Sequence, residues 1–466
     1  MKKLYIPLLS LFLWQSCSSD LLNTSPESIK QTDNFYKDEA QLEQGINAVY
    51  GSLQYVGQYQ LAMLAIGEIP SDNTYDEVPA NDNFTYGELD FFTVQPNNSL
   101  LASTWKENYI GIQQANIVLN RIGNVSMSQS QKNIRTGEVR FLRALMYFNM
   151  VRIFGDVPLV TKESVNVNDY FGQGRTPAET VYAFIESELK DAIALLPETA
   201  SQKGRVTKGA ALGILGKVLM TRNKYSEALP YLKQIEGLSY SLLTDITKIF
   251  DVTNKNNAEI IFDVQFASGL NGNTEGSQAY QMFSPSGFSP GAKGHNLPTK
   301  EVYTIFSTSD KRRDAYIGLT PNGVPYSKKL TRPTTAPTDG GSNVVVLRLA
   351  DVYLLIAECY AKANDLVNGN LYINKIKNRA GIATVNITDP AQLLDEIALE
   401  RRKELVGEGH RWFDLVRTGK AIQVMTAHFQ NTPGYGTAMI KPHNLLMPVP
   451  QNQINTDPAI KQNPGY

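Results

Sequence analysis

The sequence predicts a mainly α protein, built on tetratricopeptide-like helix pairs with long irregular loops and little β. Three observations lead there. Apolar residues recur at helical spacing through most of the chain. Residues 207–236 carry Leu212, Leu215, Gly216, Leu219, Tyr225, Ala228 and Leu232 at the spacing of a helix–turn–helix repeat. Only Ile260 to Phe266 and Val344 to Leu349 read as strands.

The elements follow in order. Lys2 and Lys3 precede an apolar run from Leu4 to Trp14, and Cys17 sits where the chain turns polar. That run is too short for a membrane-spanning helix, which needs ~20 residues, but it suits a signal peptide. Cys17 reads as a lipoprotein acylation site, with ordinary secretion as the alternative, since Trp14 stands where a lipobox usually has Leu. Residues 1–16 are thus expected to be a signal peptide, 17–32 a lipidated tether, and 33–466 a single domain with parts at about 33–240 and 241–466. Helical spacing marks Phe35 to Leu53 and Trp105 to Ile122. Glu138 to Phe154 is apolar nearly all round, which predicts a buried helix, and Gly155-Asp156-Val157-Pro158 stops it. Thr176-Pro177 starts another helix, running to Leu196, because proline suits a first helical turn. A looser repeat occupies residues 349–380. Between the helices, residues 67–99, 267–298 and 318–343 are long irregular tracts, and loops of that length tend to be functional.

Charge excludes some partners. Without Lys2 and Lys3 the 44 basic residues become 42 against 45 acidic, a net of −3, so no basic excess points to nucleic acid. With Cys17 acylated, Cys359 is alone; its apolar neighbours suggest a small buried hydrophobe, with a reactive thiol as the alternative. Gly287-Phe288-Ser289-Pro290-Gly291 fits a hydrolase nucleophile motif but fails on mechanism, because Pro290 has no N–H for an oxyanion hole. The four histidines, 295, 410, 428 and 443, lack metal spacing, so no cofactor or metal is expected. Glu400 to Lys420 is dense in charge, yet Leu394, Ile397, Ala398, Arg401 and Leu405 share one helical face. Arg401 should therefore face the core and pair with Glu404, Glu408 or Asp414, while His410–Asp414 and Asp414–Arg417 suit local pairing.

Six stretches carry a family resemblance. They are Glu138 to Thr161 (EVRFLRALMYFNMVRIFGDVPLVT), Arg205 to Met220 (RVTKGAALGILGKVLM), Leu347 to Ala361 (LRLADVYLLIAECYA), Tyr372 to Ile382 (YINKIKNRAGI), Glu400 to Lys420 (ERRKELVGEGHRWFDLVRTGK) and Met447 to Tyr466 (MPVPQNQINTDPAIKQNPGY). Together they resemble the SusD/RagB family of outer-membrane nutrient-binding lipoproteins. The resemblance implies a helical SusD-like fold and anchoring on the outer face of the outer membrane. It also implies a partner, a SusC-like TonB-dependent transporter, over which the lipoprotein acts as a lid. The implied role is capture of oligosaccharides, or of peptides in some members, by binding and not by catalysis.

A sugar offers apolar C–H faces and a rim of hydroxyls, so it calls for aromatic platforms flanked by polar side chains. Two clusters fit: Asp72, Asn73, Tyr75, Asn83, Phe84 and Tyr86, and Tyr280, Phe283, Phe288, His295 and Asn296. The first cluster, with Asp76, Glu77 and Asp82, is also oxygen-rich enough to suggest calcium, or simply a solvated loop. Aromatics in loops can equally be packing residues. Three platforms at about 1 kcal/mol each would give weak, high-micromolar to millimolar binding.

Overall fold

The computed structural model describes residues 35–165, 169, 171–272, 274–333 and 335–466; Cys17 and the tether lie outside them. Helices form where the sequence predicts them, and local capping sets their ends. Asp38 accepts from the Gln41 N–H to start Glu39–Ser52, and Asn98 accepts from Leu100 and Leu101 to start Ser99–Arg121. Ser128 and Gln131 form a reciprocal capping box at the head of Gln129–Phe154. This helix begins nine residues before the apolar run, because its first turns are polar and carry no core signal. From Phe141 to Met150 every residue on it is buried, so it forms the central post of the fold. Gly155 ends it at φ 72, a conformation that costs glycine little.

Packing follows chain order. Ser99–Arg121 packs on Gln129–Phe154, which packs on Ala178–Leu195; Lys208–Thr221 then lies against Ala178–Leu195 and Tyr225–Gln234. That last pair approaches closely. A Cβ added at Gly216 would sit 2.4 Å from the Leu232 side chain. Tyr225–Gln234 continues onto Leu349–Lys362, which pairs with Leu366–Ala380, so the two repeat-like segments stack on each other.

Six short strands are present among the described residues: β1 (Thr74–Tyr75), β2 (Ile260–Val264), β3 (Leu297–Pro298), β4 (Ile317–Leu319), β5 (Pro325–Ser327) and β6 (Val344–Arg348). The two strands expected from sequence, β2 and β6, pair with each other, antiparallel and bulged. The chain then enters Leu349–Lys362 directly from Arg348.

Arg348 is the hub of a buried ionic network. It contacts Glu259 at 2.9 Å, Glu404 at 2.6 Å and Glu408 at 2.8 Å and 2.7 Å. Arg312, also fully buried, contacts Glu400 at 2.6 Å and Glu404 at 3.0 Å. The charge-dense stretch is therefore structural. Arg401 does face the core, where it meets Asp414 at 2.9 Å and Asp351 at 2.7 Å. Glu404 and Glu408 are not its partners, because they point to the opposite side, toward Arg348. Asp414 and Arg417 pair at 2.8 Å, but His410 turns to Lys217 at 3.2 Å instead of Asp414. Cys359 is buried, and that burial pushes its thiol up to about 12, which suits a small hydrophobe and not a reactive thiol. No helix among the described residues is long and apolar enough to cross a membrane.

Candidate functional site

The three irregular tracts converge. β1 pairs with β3, bringing Tyr75 opposite Leu297, so the loop after Asn73 lies against the loop before Pro298. The third tract joins through β5, which packs on β3, and through a bridge between Ser277 and Gly340. The two clusters separated by about 200 residues in sequence thus form one unit. Glu77 N–H donates to the Gly294 carbonyl at 2.8 Å, its carboxylate accepts from the Ser286 N–H at 2.7 Å, and Asn81 Nδ2 donates to the Lys293 carbonyl at 3.0 Å.

Many of the candidate residues prove to be supports. Asp72 is buried, and Arg411 grips its carboxylate at 2.8 Å and 2.9 Å while Arg402 adds a contact at 3.1 Å. Burial pushes this carboxyl up, yet the two guanidinium charges outweigh it and hold it at about 2. Asn73 is buried between Glu68 at 3.1 Å and Arg402 at 3.0 Å. Tyr86 and Phe283 are buried and pack edge to face, with centroids 6.3 Å apart. Asn296 is buried, its Nδ2 directed at the Leu64 carbonyl. His295 is 0 % exposed, with Tyr86 stacked on its ring at 4.2 Å. These six side chains are buried and position the surface. A calcium reading fails on the same geometry. Asp72 faces two arginines, and Asp76 and Asp82 face His295 at 2.9 Å each, so the carboxylates do not converge on a common point. Among the described residues no group of three or more His, Cys, Asp or Glu could hold a metal ion.

What remains outward is aromatic. Phe84 is 55 % exposed, with exposed Asn83 beside it. Phe288 and Tyr326 form a half-buried pair with centroids 4.7 Å apart. Tyr75 is half-buried; burial, then Glu77 and Asp90, push its hydroxyl up to about 12, so it stays a neutral donor. Tyr280 is mostly enclosed but edges a small cleft of about 150 Å³ with Ser289, Pro290 and exposed Arg332. Tyr326 and Arg332 went unnamed in sequence because only their tract, and no motif within it, was distinctive.

The Phe84 turn has an unusual backbone. Asp82, Asn83 and Phe84 are consecutive left-handed residues, at φ 49, 55 and 61. Each left-handed residue costs on the order of 1–2 kcal/mol, less for Asp and Asn, whose side chains bond locally. Phe84 has no such relief, so the surroundings must hold it there.

A larger cavity, about 1040 Å³, lies elsewhere, beside Pro390–Leu405 and Ala421–Asn431. No Phe, Tyr or Trp lines it, and its main charges are consumed by ion pairs, Arg411 with Asp72 and Arg417 with Glu358 at 2.7 Å. It offers a sugar no aromatic platform, although polar groups such as Gln423, Asn431 and the unpartnered His428 Nε2 line it, so size alone does not make it the site.

Comparison with known proteins bears on the family and the fold. A family profile described as "SusD family" matches residues 306–466, and one described as "Starch-binding associating with outer membrane" matches residues 20–220. SusD-like protein P25 of Formosa agariphila is 28 % identical, with 98 % of each chain covered. Among solved structures, a laminarin binding SusD-like protein is 28 % identical at a TM-score of 0.81, covering 92 % of this chain and 100 % of that one. Surface glycan-binding protein A from Bacteroides uniformis is 25 % identical at a TM-score of 0.79, covering 91 % and 99 %.

Proposed function

Because the chain belongs to the SusD/RagB family, we propose that it is a cell-surface glycan-binding lipoprotein. It captures oligosaccharides on its loop surface and delivers them to a partner SusC-like TonB-dependent transporter. Cys17 carries the lipid that holds it on the outer face of the outer membrane, and residues 33–466 act as one ligand-binding unit. The observation behind this reading is the outward aromatic set, Phe84 and the Phe288–Tyr326 pair, on adjoining irregular loops rather than on the helix repeats. Flat apolar rings on loops that also carry Asn83, Tyr75 and Arg332 suit the two faces of sugar chemistry, C–H surface and hydroxyl rim. The names of relatives that bind laminarin and surface glycans support the same class of ligand. The reading is one of binding, not catalysis: the hydrolase-like motif at Gly287–Gly291 has Pro290 where the oxyanion donor would have to be.

The test is calorimetric titration of residues 18–466 with a panel of oligosaccharides up to millimolar concentration. One glycan class should bind, at high micromolar to millimolar Kd. Binding to peptides but to no glycan would transfer the role to peptide capture. Silence toward both would refute capture and leave a scaffold of the transporter. Affinity purification of the lipidated protein should bring down a β-barrel transporter, and its absence would remove the delivery step.

A further inference from the structure

Resting on the glycan-capture reading, we propose that His295 is a positioning residue. As an imidazolium clamped between Asp76 and Asp82, it locks the left-handed Phe84 turn in its ligand-ready form. The argument starts from proton counting. His295 Nδ1 lies 2.9 Å from Asp76 Oδ1, and Nε2 lies 2.9 Å from Asp82 Oδ2. A neutral imidazole has one N–H, so one of these contacts would set a nitrogen lone pair against an anionic oxygen. Two carboxylate contacts at hydrogen-bond distance call for protons on both nitrogens. The stacked Tyr86 ring, at 4.2 Å and 24°, offers its π face to that charge. Burial pushes the Asp82 carboxyl up, but hydrogen bonds from His295 and Lys293 outweigh it and keep the group below its usual range, so it is an anion.

The clamp acts on the turn through one residue. Asp82 is the first of the three left-handed residues and its carbonyl accepts the Thr85 N–H at 3.2 Å, closing the turn that carries Asn83 and Phe84. Its carboxylate is held from the far loop by His295 and, at 3.2 Å, by Lys293. Lys293 is exposed enough to be screened, whereas His295 is wholly enclosed, so the histidine is the stronger anchor. The other charged groups around the ring are accounted for. Glu77 bonds the Ser286 N–H, and Asp90 accepts the Asp76 N–H at 3.0 Å and the Tyr435 hydroxyl at 2.8 Å. Neither offers His295 an alternative partner. Loss of the Asp82 contact frees a strained turn to relax, moving Phe84.

Three readouts test this. Nitrogen NMR of the histidine-labelled protein should find both His295 ring nitrogens protonated at neutral pH; a single protonated nitrogen would overturn the proposal. His295→Gln, which cannot supply two donors along the ring's two directions, should speed amide exchange at residues 82–85 at least tenfold while exchange in the helical core stays unchanged. Uniform acceleration, or none, would overturn it. For the glycan bound by the wild type, His295→Gln and Phe84→Ala should each weaken binding about tenfold, and the double variant no further. Additive losses would overturn the coupling to Phe84. If His295→Gln does not fold, Asp82→Asn replaces it in the same measurements. If no glycan binds at all, the capture reading fails by itself, and the NMR and exchange results still decide the lock.

Discussion

Replacing Arg348 with Met should destabilise the fold severely, and the size of the loss follows from its contacts. The side chain is fully buried and reaches three carboxylates, Glu259, Glu404 and Glu408. Each has another cation: Arg379 reaches Glu259 and Glu404, Arg312 reaches Glu404, and Lys329 reaches Glu408. Each carboxylate would therefore keep a cation, and the network would survive, more negative by the one charge that Arg348 had compensated. Removing one partner of a buried ion pair costs about 3–5 kcal/mol, a large share of the roughly 5–15 kcal/mol of a typical domain. Met restores apolar volume but no charge. With a urea slope near 3 kcal/mol/M, the unfolding midpoint should fall by roughly 1–2 M. Urea denaturation followed by circular dichroism measures it. Glu408→Gln in the same chain should recover part of the loss, because it removes one negative charge. A midpoint shift under about 0.3 M for Arg348→Met would refute the reasoning and mean that water or rearrangement neutralises the network.

Three further outcomes are expected. Phe84→Ala should leave the melting temperature within a degree or two, since the ring is 55 % exposed, yet cost about 1–1.5 kcal/mol of stacking, or five- to tenfold in Kd by calorimetry; unchanged affinity removes Phe84 from the site. The Asp72 carboxyl is depressed to about 2 by Arg411 and Arg402 against the burial that raises it. Its stabilisation is present above the unfolded value near 4 and lost as pH falls toward 2, so Asp72→Asn should flatten the melting curve in that window; an unaltered acid limb would count against the pairing. Burial raises the Asp90 carboxyl to about 7, so the folded state holds the proton longer than the unfolded one and stability falls between about pH 4 and 7. Asp90→Asn should abolish that fall, measured as melting temperature against pH, and persistence of the fall would place its origin elsewhere.

Helix positions, the buried post at Glu138 to Phe154, its stop at Gly155 and the close repeat at Gly216 were all legible in the sequence, because local periodicity, caps and small residues encode them. Arg401's inward direction was legible too, from the face it shares with Ile397 and Leu405. Its partner was not: three carboxylates lay within reach by sequence, and only tertiary packing sent Glu404 and Glu408 to Arg348 and left Asp414 and Asp351 for Arg401. The candidate site divides the same way. Composition marked the loops that meet at β1 and β3, since aromatics among Asn, Asp and Pro stand out from helical spacing. Which of those aromatics face water depends on contacts made across some 200 residues. Tyr86 turned inward against His295 and Phe283, Phe84 was held outward by a strained turn, and Tyr326 arrived from a third tract. A side chain's chemistry is written in the chain; whether it becomes support or surface is decided by what packs against it.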